Sequence, residues 1–278
     1  MGYPMAGHLT RAGHAVTVYN RTPARAAAWA AEYGGVTADT PARAAEDADI
    51  VFVCVGGDDD VRAVVTGPDG VFETMAPGTL LVDHTTASAD LAREIAGLAA
   101  GQGLRFLDAP VSGGQAGAQN GVLTIMVGGD RAAFDRAQPI MAAYGRSISL
   151  MGPAGAGQLT KMANQICIAG IVQSLSEALD FAIRAGIDAK QAAEVMSGGA
   201  AGSWQMANRA ATMVDGRFDF GFAVEWMRKD LGFCLAEGAR LGATLPVTGI
   251  IDGYYAQVEA RGGRRWDTSS LIDLLQRP

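Results

Sequence analysis

Gly152 to Ile168 reads G-P-A-G-A-G-Q-L-T-K-M-A-N-Q-I-C-I, and the apolar character behind it runs on to about Arg184. The three glycines and the proline at its start mark a turn, and the unbroken run that follows predicts one long helix. At 3.6 residues per turn, Lys161, Asn164, Gln165 and Ile168 share a face, one turn above Gly157 and Gln158. A cation and two amides in one stripe predict a polar cleft beside that face, because a buried ammonium is costly without partners. The alternative is a lysine on a solvated helix surface, the ordinary place for this residue.

Upstream of this stretch, short β runs alternate with helical ones. Met1 to Ala12 predicts a helix with Gly13 as its C-terminal stop, followed by a strand ending at Asn20 and a helix from Pro23 to Tyr33. Further strands are predicted over 50–55, 79–83, 104–108, 123–127 and 148–151, with helices over 59–65, 89–100 and 131–144 between them. This alternation predicts a parallel sheet covered on both faces by helices. From Pro153 onward every periodic segment is helical. The expected organisation is an α/β, Rossmann-type doubly wound domain over 1–152 and an all-α substrate and oligomerisation domain over 153–278. A helix over about 153–185 links them.

The start of the chain departs from such a domain. A dinucleotide-binding fold opens with a strand and a glycine-rich turn whose amides, with the next helix N-terminus, hold the pyrophosphate. Here Met1-Gly2 resemble the last two residues of a G-x-G-x-x-G turn, and the first strand and first two glycines do not precede them. That strand is central in the order 3-2-1-4-5-6, so the expectation is a sheet with two unpaired edges, from a late start or a truncation.

Composition bounds the partners. The 278 residues are 49% hydrophobic and 18% charged, which is a globular composition, and the net charge of -7 with scattered arginines argues against nucleic acid or an anionic membrane. The expected partner is a small molecule. No run is read as approaching the ~18 apolar residues of a membrane span, and no signal peptide is seen. Three cysteines, an odd number without C-x-x-C spacing, imply neither a disulfide framework nor a metal site, and the expected location is the reducing cytoplasm. His8, His14 and His84 lack metal-ligand spacing and are read as surface or packing residues.

Four motifs carry candidate chemistry. Asn20-Arg21-Thr22 end the second strand of the fold, where the adenosine ribose is met; no acid stands there, the nearest downstream being Glu32. Arg21 offers a planar fork to a 2'-phosphate, which favours NADP over NAD, unless Thr22 is simply a helix N-cap and Arg21 lies in solvent. Ser112-Gly113-Gly114, within D-A-P-V-S-G-G-Q-A-G-A, present amides without a Cβ in the way and suit a carboxylate. Thr86 either bonds the nicotinamide amide or substrate, or caps a helix. Lys229-Asp230, in R-K-D-L, reads by default as a solvated charge pair.

Taken together, D-A-P-V-S-G-G-Q-A-G-A with G-V-L-T-I-M-V-G-G, then G-A-G-Q-L-T-K-M-A-N-Q, then R-K-D-L resemble the β-hydroxyacid dehydrogenases over essentially the whole chain. The resemblance implies Lys161 as catalytic acid/base with Asn164 beside it on substrate, and Ser112, Gly113 and Gly114 as the carboxylate loop. It further implies Phe222 and Asp230 lining the cleft. Gly2, Asn20, Arg21, Thr22, Val55, Thr86 and Lys229 are the implied cofactor positions, with no metal. The expected reaction is reversible hydride transfer between NADP, less favourably NAD, and a small aldehyde, keto acid or hydroxyacid, in a homodimer or homotetramer. Lys161 would have to lose its proton for the oxidative direction, which requires desolvation or a nearby cation. Three rivals are weighed: an imine reductase, disfavoured by retention of Lys161; a 6-phosphogluconate-type decarboxylase, which carries His-Asn after the lysine where this chain has Asn164-Gln165; and a non-catalytic scaffold.

Overall fold

Leu80-Leu81-Val82 alternate sides in a single strand, and both sides are covered: Leu80 and Val82 join one apolar cluster, Leu81 another. In the computed structural model, which describes residues 1–277, this strand lies inside a sheet sandwiched by helices. Contacts divide the chain into two units, residues 1–161 and 162–278.

The first unit contains eight strands: β1 (Thr17–Val18), β2 (Val36–Thr37), β3 (Ile50–Val53), β4 (Leu80–Asp83), β5 (Arg105–Asp108), β6 (Val111–Ser112), β7 (Leu123–Gly129) and β8 (Gly145–Gly152). Its helices are α1 (Gly2–Arg11), α2 (Pro23–Tyr33), α3 (Pro41–Ala45), α4 (Asp58–Val65), α5 (Ala89–Gly101), α6 (Gly114–Gln119) and α7 (Arg131–Met141), and it ends within α8 (Ala156–Arg184). Met5 and Leu9 of α1 share one cluster with Phe134 and Met141 of α7; Val61 of α4 and Leu91 and Ile95 of α5 share the other. Burial of both sheet faces explains why the strands read as continuous apolar runs.

Strands β3, β4 and β5 pair in parallel as expected, with Asp83 and Asp108 level at their ends. The sheet is not parallel throughout. β7 runs antiparallel to both β5 and β6, and only β8 returns parallel to β7. The cause is local: β6 follows β5 after two residues and turns through the six-residue α6 into β7, a hairpin in which no long helix crosses the sheet face. The strand ending at Asn20 shrinks to Thr17–Val18, which pairs with β2 alone in a separate two-stranded sheet. Among the described residues β3 pairs with β4 alone, so β1 and β3 each keep an edge without a strand partner, as the sequence predicts.

The second unit is helical: the remainder of α8, then α9 (Ala189–Ser197), α10 (Trp204–Val214), α11 (Val224–Leu241), α12 (Pro246–Ala260) and α13 (Asp273–Gln276). Leu175, Leu179 and Ala182 of α8 pack with Ala193, Met206 and Met213 in its core. By length and composition alone α8 is apolar enough to cross a membrane, which corrects the sequence reading that no such run exists. Its inward face is instead spent on that core, as in the central helix of a helical domain. Met206 and Met227 are buried, whereas Trp204 and Trp226 stay on the surface.

Candidate active site

The start of α8 is built on a carboxylate. Asp108, fully buried at the end of β5, accepts from the Gly155 amide through Oδ1 (2.7 Å) and from the Gln158 amide through Oδ2 (2.9 Å). It thus supplies the acceptor that the first turn of a helix needs, and burial raises its pKa while these amides lower it. The approach is close enough to need glycine: a Cβ on Gly157 would stand 2.7 Å from the Asp108 carbonyl oxygen.

One turn on, the Gln158 side chain is buried and bridges the segment after β4. Its Nε2 donates to the Thr85 carbonyl (2.7 Å) and its Oε1 accepts from the Ala87 amide (3.1 Å), one bond on each side of Thr86. Thr85 Oγ1 accepts in turn from the Val55 amide (3.1 Å), which ties the end of β3 to the same turn. Thr86 is half-buried and is not the helix cap; that role belongs to Ser88, whose Oγ accepts from Leu91 N (3.0 Å). Lys161 follows Gln158 by three residues and so shares its side of α8, and only 7% of the lysine is exposed. The solvated-surface alternative for Lys161 therefore fails.

Ser112, Gly113 and Gly114 form the turn from β6 into α6, with Ser112 half-buried and both glycines exposed. Gly113 and Gly114 take φ of +130° and +62°, a conformation open to glycine at little cost. Gly2 opens α1, whose N-terminus has no side-chain cap and no acid in its first turn. Uncapped amides and the helix dipole suit a diphosphate, so the residues present fit a dinucleotide there. Asn20 Oδ1 accepts from Thr22 N (2.9 Å); Thr22 occupies the N-cap position of α2 without capping it by its side chain. Arg21 is exposed and pairs with Asp60 at 3.2 Å. Glu32 accepts from the Tyr3 hydroxyl at 2.7 Å, far along α2 from the end of β1.

In the second unit, Asn164 Nδ2 donates to Gln165 Oε1 (2.8 Å), and Gln165 Nε2 donates to Asp230 Oδ2 (2.6 Å). Asp230 is buried and Lys229 Nζ lies 3.3 Å from its Oδ1, so the pair is not the solvated one that two adjacent charges on a helix suggest. Lys229 also stands 5.6 Å from the ring centres of Trp226 and Phe233. Phe222 is half-buried, its amide donating to Asp267 Oδ2 at 2.8 Å. Gln165 and Gln158 are two polar residues that the sequence places on or one turn from the lysine face without a role of their own. Their signal is the spacing, since a buried amide three or four residues from a buried lysine lies on the same stripe.

A Rossmann-type unit with an uncapped helix N-terminus, ending in a helix that bears a buried lysine and followed by a helical unit, fits a nicotinamide-dependent oxidoreductase. The sequence profile of the NAD binding domain of 6-phosphogluconate dehydrogenase matches residues 1–152, and that of the NAD-binding domain of NADP-dependent 3-hydroxyisobutyrate dehydrogenase matches residues 155–275. The chain belongs to the β-hydroxyacid dehydrogenase family of NAD(P)-dependent oxidoreductases. An uncharacterized oxidoreductase of Shewanella frigidimarina is 59% identical to it over 100% of this chain and 95% of the relative. The 2-hydroxy-3-oxopropionate reductase of Escherichia coli is 36% identical over 99% and 94%. Among solved structures, the 3-hydroxyisobutyrate dehydrogenase of Mycobacterium tuberculosis with L-serine superposes with a TM-score of 0.88 at 32% identity, over 99% of this chain and 96% of that one.

Proposed function

We propose that this chain reduces a small semialdehyde or keto acid to its hydroxyacid, reversibly, with NADP preferred and Lys161 as the acid/base. The burial of Lys161 on the Gln158 side of α8 is the observation that carries the reading. A bound nicotinamide supplies the hydride. Lys161 donates the proton that the carbonyl oxygen needs as charge grows on it, and takes it back in the reverse direction. Asn164, held by its bond to Gln165, orients the substrate. The Ser112-Gly113-Gly114 turn receives the carboxylate through amides that no Cβ obstructs. Phe222 and Asp230 bound the substrate, and Gly2, Val55, Thr86 and Lys229 contact the cofactor.

Two observations support the finer points. The turn from β1 into α2 carries no acid of its own to accept from a ribose 2'-hydroxyl, and Arg21, paired there with Asp60 of α4, is exposed as a fork for a 2'-phosphate. The L-serine of the M. tuberculosis relative is a three-carbon β-hydroxy acid, the size class that a loop of small residues admits. Exposed Phe181, Val195, Trp204 and Ile250 on the second unit favour a homodimer or homotetramer, and a cytoplasmic location suits three free thiols. The test is oxidation of NADPH and of NADH with glyoxylate and succinic semialdehyde, by wild type and by Lys161→Ala. Turnover in the wild type that disappears in the variant, with cofactor affinity kept, is expected; near-normal kcat in Lys161→Ala sinks the assignment.

A further inference from the structure

We propose that Gln158 is a positioning residue: its buried amide fixes the Thr85–Ala87 turn against the side of α8 that carries Lys161. The inference rests on the proposed role of Lys161 and extends it to a residue that touches neither substrate nor cofactor. The side chain is 1% exposed, and both ends of its amide are used, Nε2 on the Thr85 carbonyl at 2.7 Å and Oε1 on the Ala87 amide at 3.1 Å. Its backbone is fixed as well, because the Gln158 amide donates to Asp108 Oδ2 at 2.9 Å and the neighbouring Gly155 amide to Oδ1 at 2.7 Å. The Thr85 side is anchored independently by the Val55 amide on Thr85 Oγ1 (3.1 Å) and the Thr85 amide on Asp83 Oδ1 (2.9 Å).

Gln158 thus ties the segment after β4 to the first turn of α8 through its side chain and the end of β5 through its backbone amide, while Thr85 Oγ1 brings in the end of β3. A single-residue turn held on both flanks cannot slide along its helix without breaking a buried hydrogen bond. Thr86 is the residue so held, and Lys161 lies three residues beyond Gln158 on the same stripe. The distance between a cofactor contact and the acid/base is therefore set by this amide. Misplacement of reacting groups by about 1 Å costs on the order of 100-fold in rate, which gives the scale of the effect expected.

The experiment compares wild type, Gln158→Met, Gln158→Asn and Lys161→Ala as full chains. Methionine keeps the volume and removes both bonds; asparagine keeps the amide but is one methylene short, and serves if the methionine variant does not fold. Each is assayed for kcat, for cofactor dissociation constant by nicotinamide fluorescence, and for the isotope effect with reduced cofactor deuterated at C4. The expected result is a 10- to 100-fold fall in kcat, cofactor affinity within about twofold, and a larger isotope effect, since hydride transfer becomes more rate-limiting. Wild-type kcat and isotope effect in a folded variant overturn the proposal. So does a loss of kcat that tracks the folded fraction with the isotope effect unchanged, which marks a stability role alone. Turnover surviving in Lys161→Ala defeats the acid/base reading instead, whatever the Gln158 variants do.

Discussion

Asp83 and His84 follow one another at the end of β4, both buried, and the fold pushes their titrations in opposite directions. Burial raises the Asp83 carboxyl to about 7, against the lowering effect of its bonds from Thr85. Burial lowers His84 to about 4, although its bond to the Ala109 carbonyl (2.6 Å) favours the charged ring. Because that carbonyl can only accept, Nδ1 carries the proton, and Nε2 of the neutral ring accepts from the Tyr144 hydroxyl at 2.9 Å. Asp83 lends stability that is present below its unfolded value near 4 and is lost as pH rises to about 7. His84 lends stability that is present above its unfolded value near 6.5 and is lost as pH falls to about 4. Between pH 4 and 7 the two slopes oppose each other. In Asp83→Asn the falling slope is gone, so the difference in urea unfolding free energy between variant and wild type should grow with pH by up to about 4 kcal/mol across that window. A difference that stays flat contradicts the burial argument.

Gly157 and Gly170 both lie within α8, and the structure separates them. A Cβ on Gly157 would meet the Asp108 carbonyl oxygen at 2.7 Å and its Oδ2 at 2.8 Å, neither of which is the free end of a flexible chain; at Gly170 nothing lies within 4 Å. Gly157→Ala should lower unfolding stability by about 2–3 kcal/mol and loosen the Asp108 cap, as overpacking does. Gly170→Ala should be neutral or stabilising by up to about 1 kcal/mol, from helix propensity. Chemical denaturation of the two variants decides the matter, and equal effects would rule out the close approach.

The helical half and the parallel core of the sheet were legible because their periodicities are strong. Pro23–Tyr33 was predicted to the residue, since a proline starts it and a glycine ends it. The antiparallel β7 was not legible, because pairing direction depends on the short β6–α6 connection and not on the apolar pattern of the strand. Thr86 and Ser88 are both hydroxyls before a helix, and only the backbone positions decide that Ser88 caps it. Lys229-Asp230 looks like a surface pair in sequence because adjacency hides burial; the aspartate turns inward to Gln165, 65 positions away. Long-range amide bonds such as those of Gln158 leave only a polar residue on an apolar helix as their trace.

Arg21 tests the choice of cofactor without disturbing the fold. Its ion pair with Asp60 joins an 87% exposed side chain to a 39% exposed one, so breaking it should move stability by less than about 0.5 kcal/mol. If the guanidinium serves a 2'-phosphate, Arg21→Ala should raise the KM for NADPH by roughly 10-fold or more, the scale of a lost charge-assisted bond, and leave that for NADH within twofold. Equal changes for the two cofactors would remove Arg21 from the ribose site.

Asp267 gathers the loop that carries Phe222. Its buried carboxylate accepts from the Phe222 amide (2.8 Å), from the Ser269 amide (3.1 Å) and from Ser269 Oγ (2.6 Å), and lies 3.3 Å from Arg209 Nε. The Arg209 guanidinium sits 4.9 Å from the Trp204 ring centre and 5.0 Å from that of Phe220, so the same arginine of α10 packs against the loop two residues before Phe222. Asp267→Ala strands these donors in a buried place and should cost about 2–4 kcal/mol of stability. Asp267→Asn keeps one acceptor oxygen and loses the charge that Arg209 matches, so it should cost less while still freeing the loop. If Phe222 bounds the substrate, that milder variant should raise the substrate KM several-fold with the cofactor dissociation constant unchanged. Steady-state kinetics with the best aldehyde of the panel read this split, and an unchanged KM in a measurably destabilised Asp267→Asn would detach the loop from substrate binding.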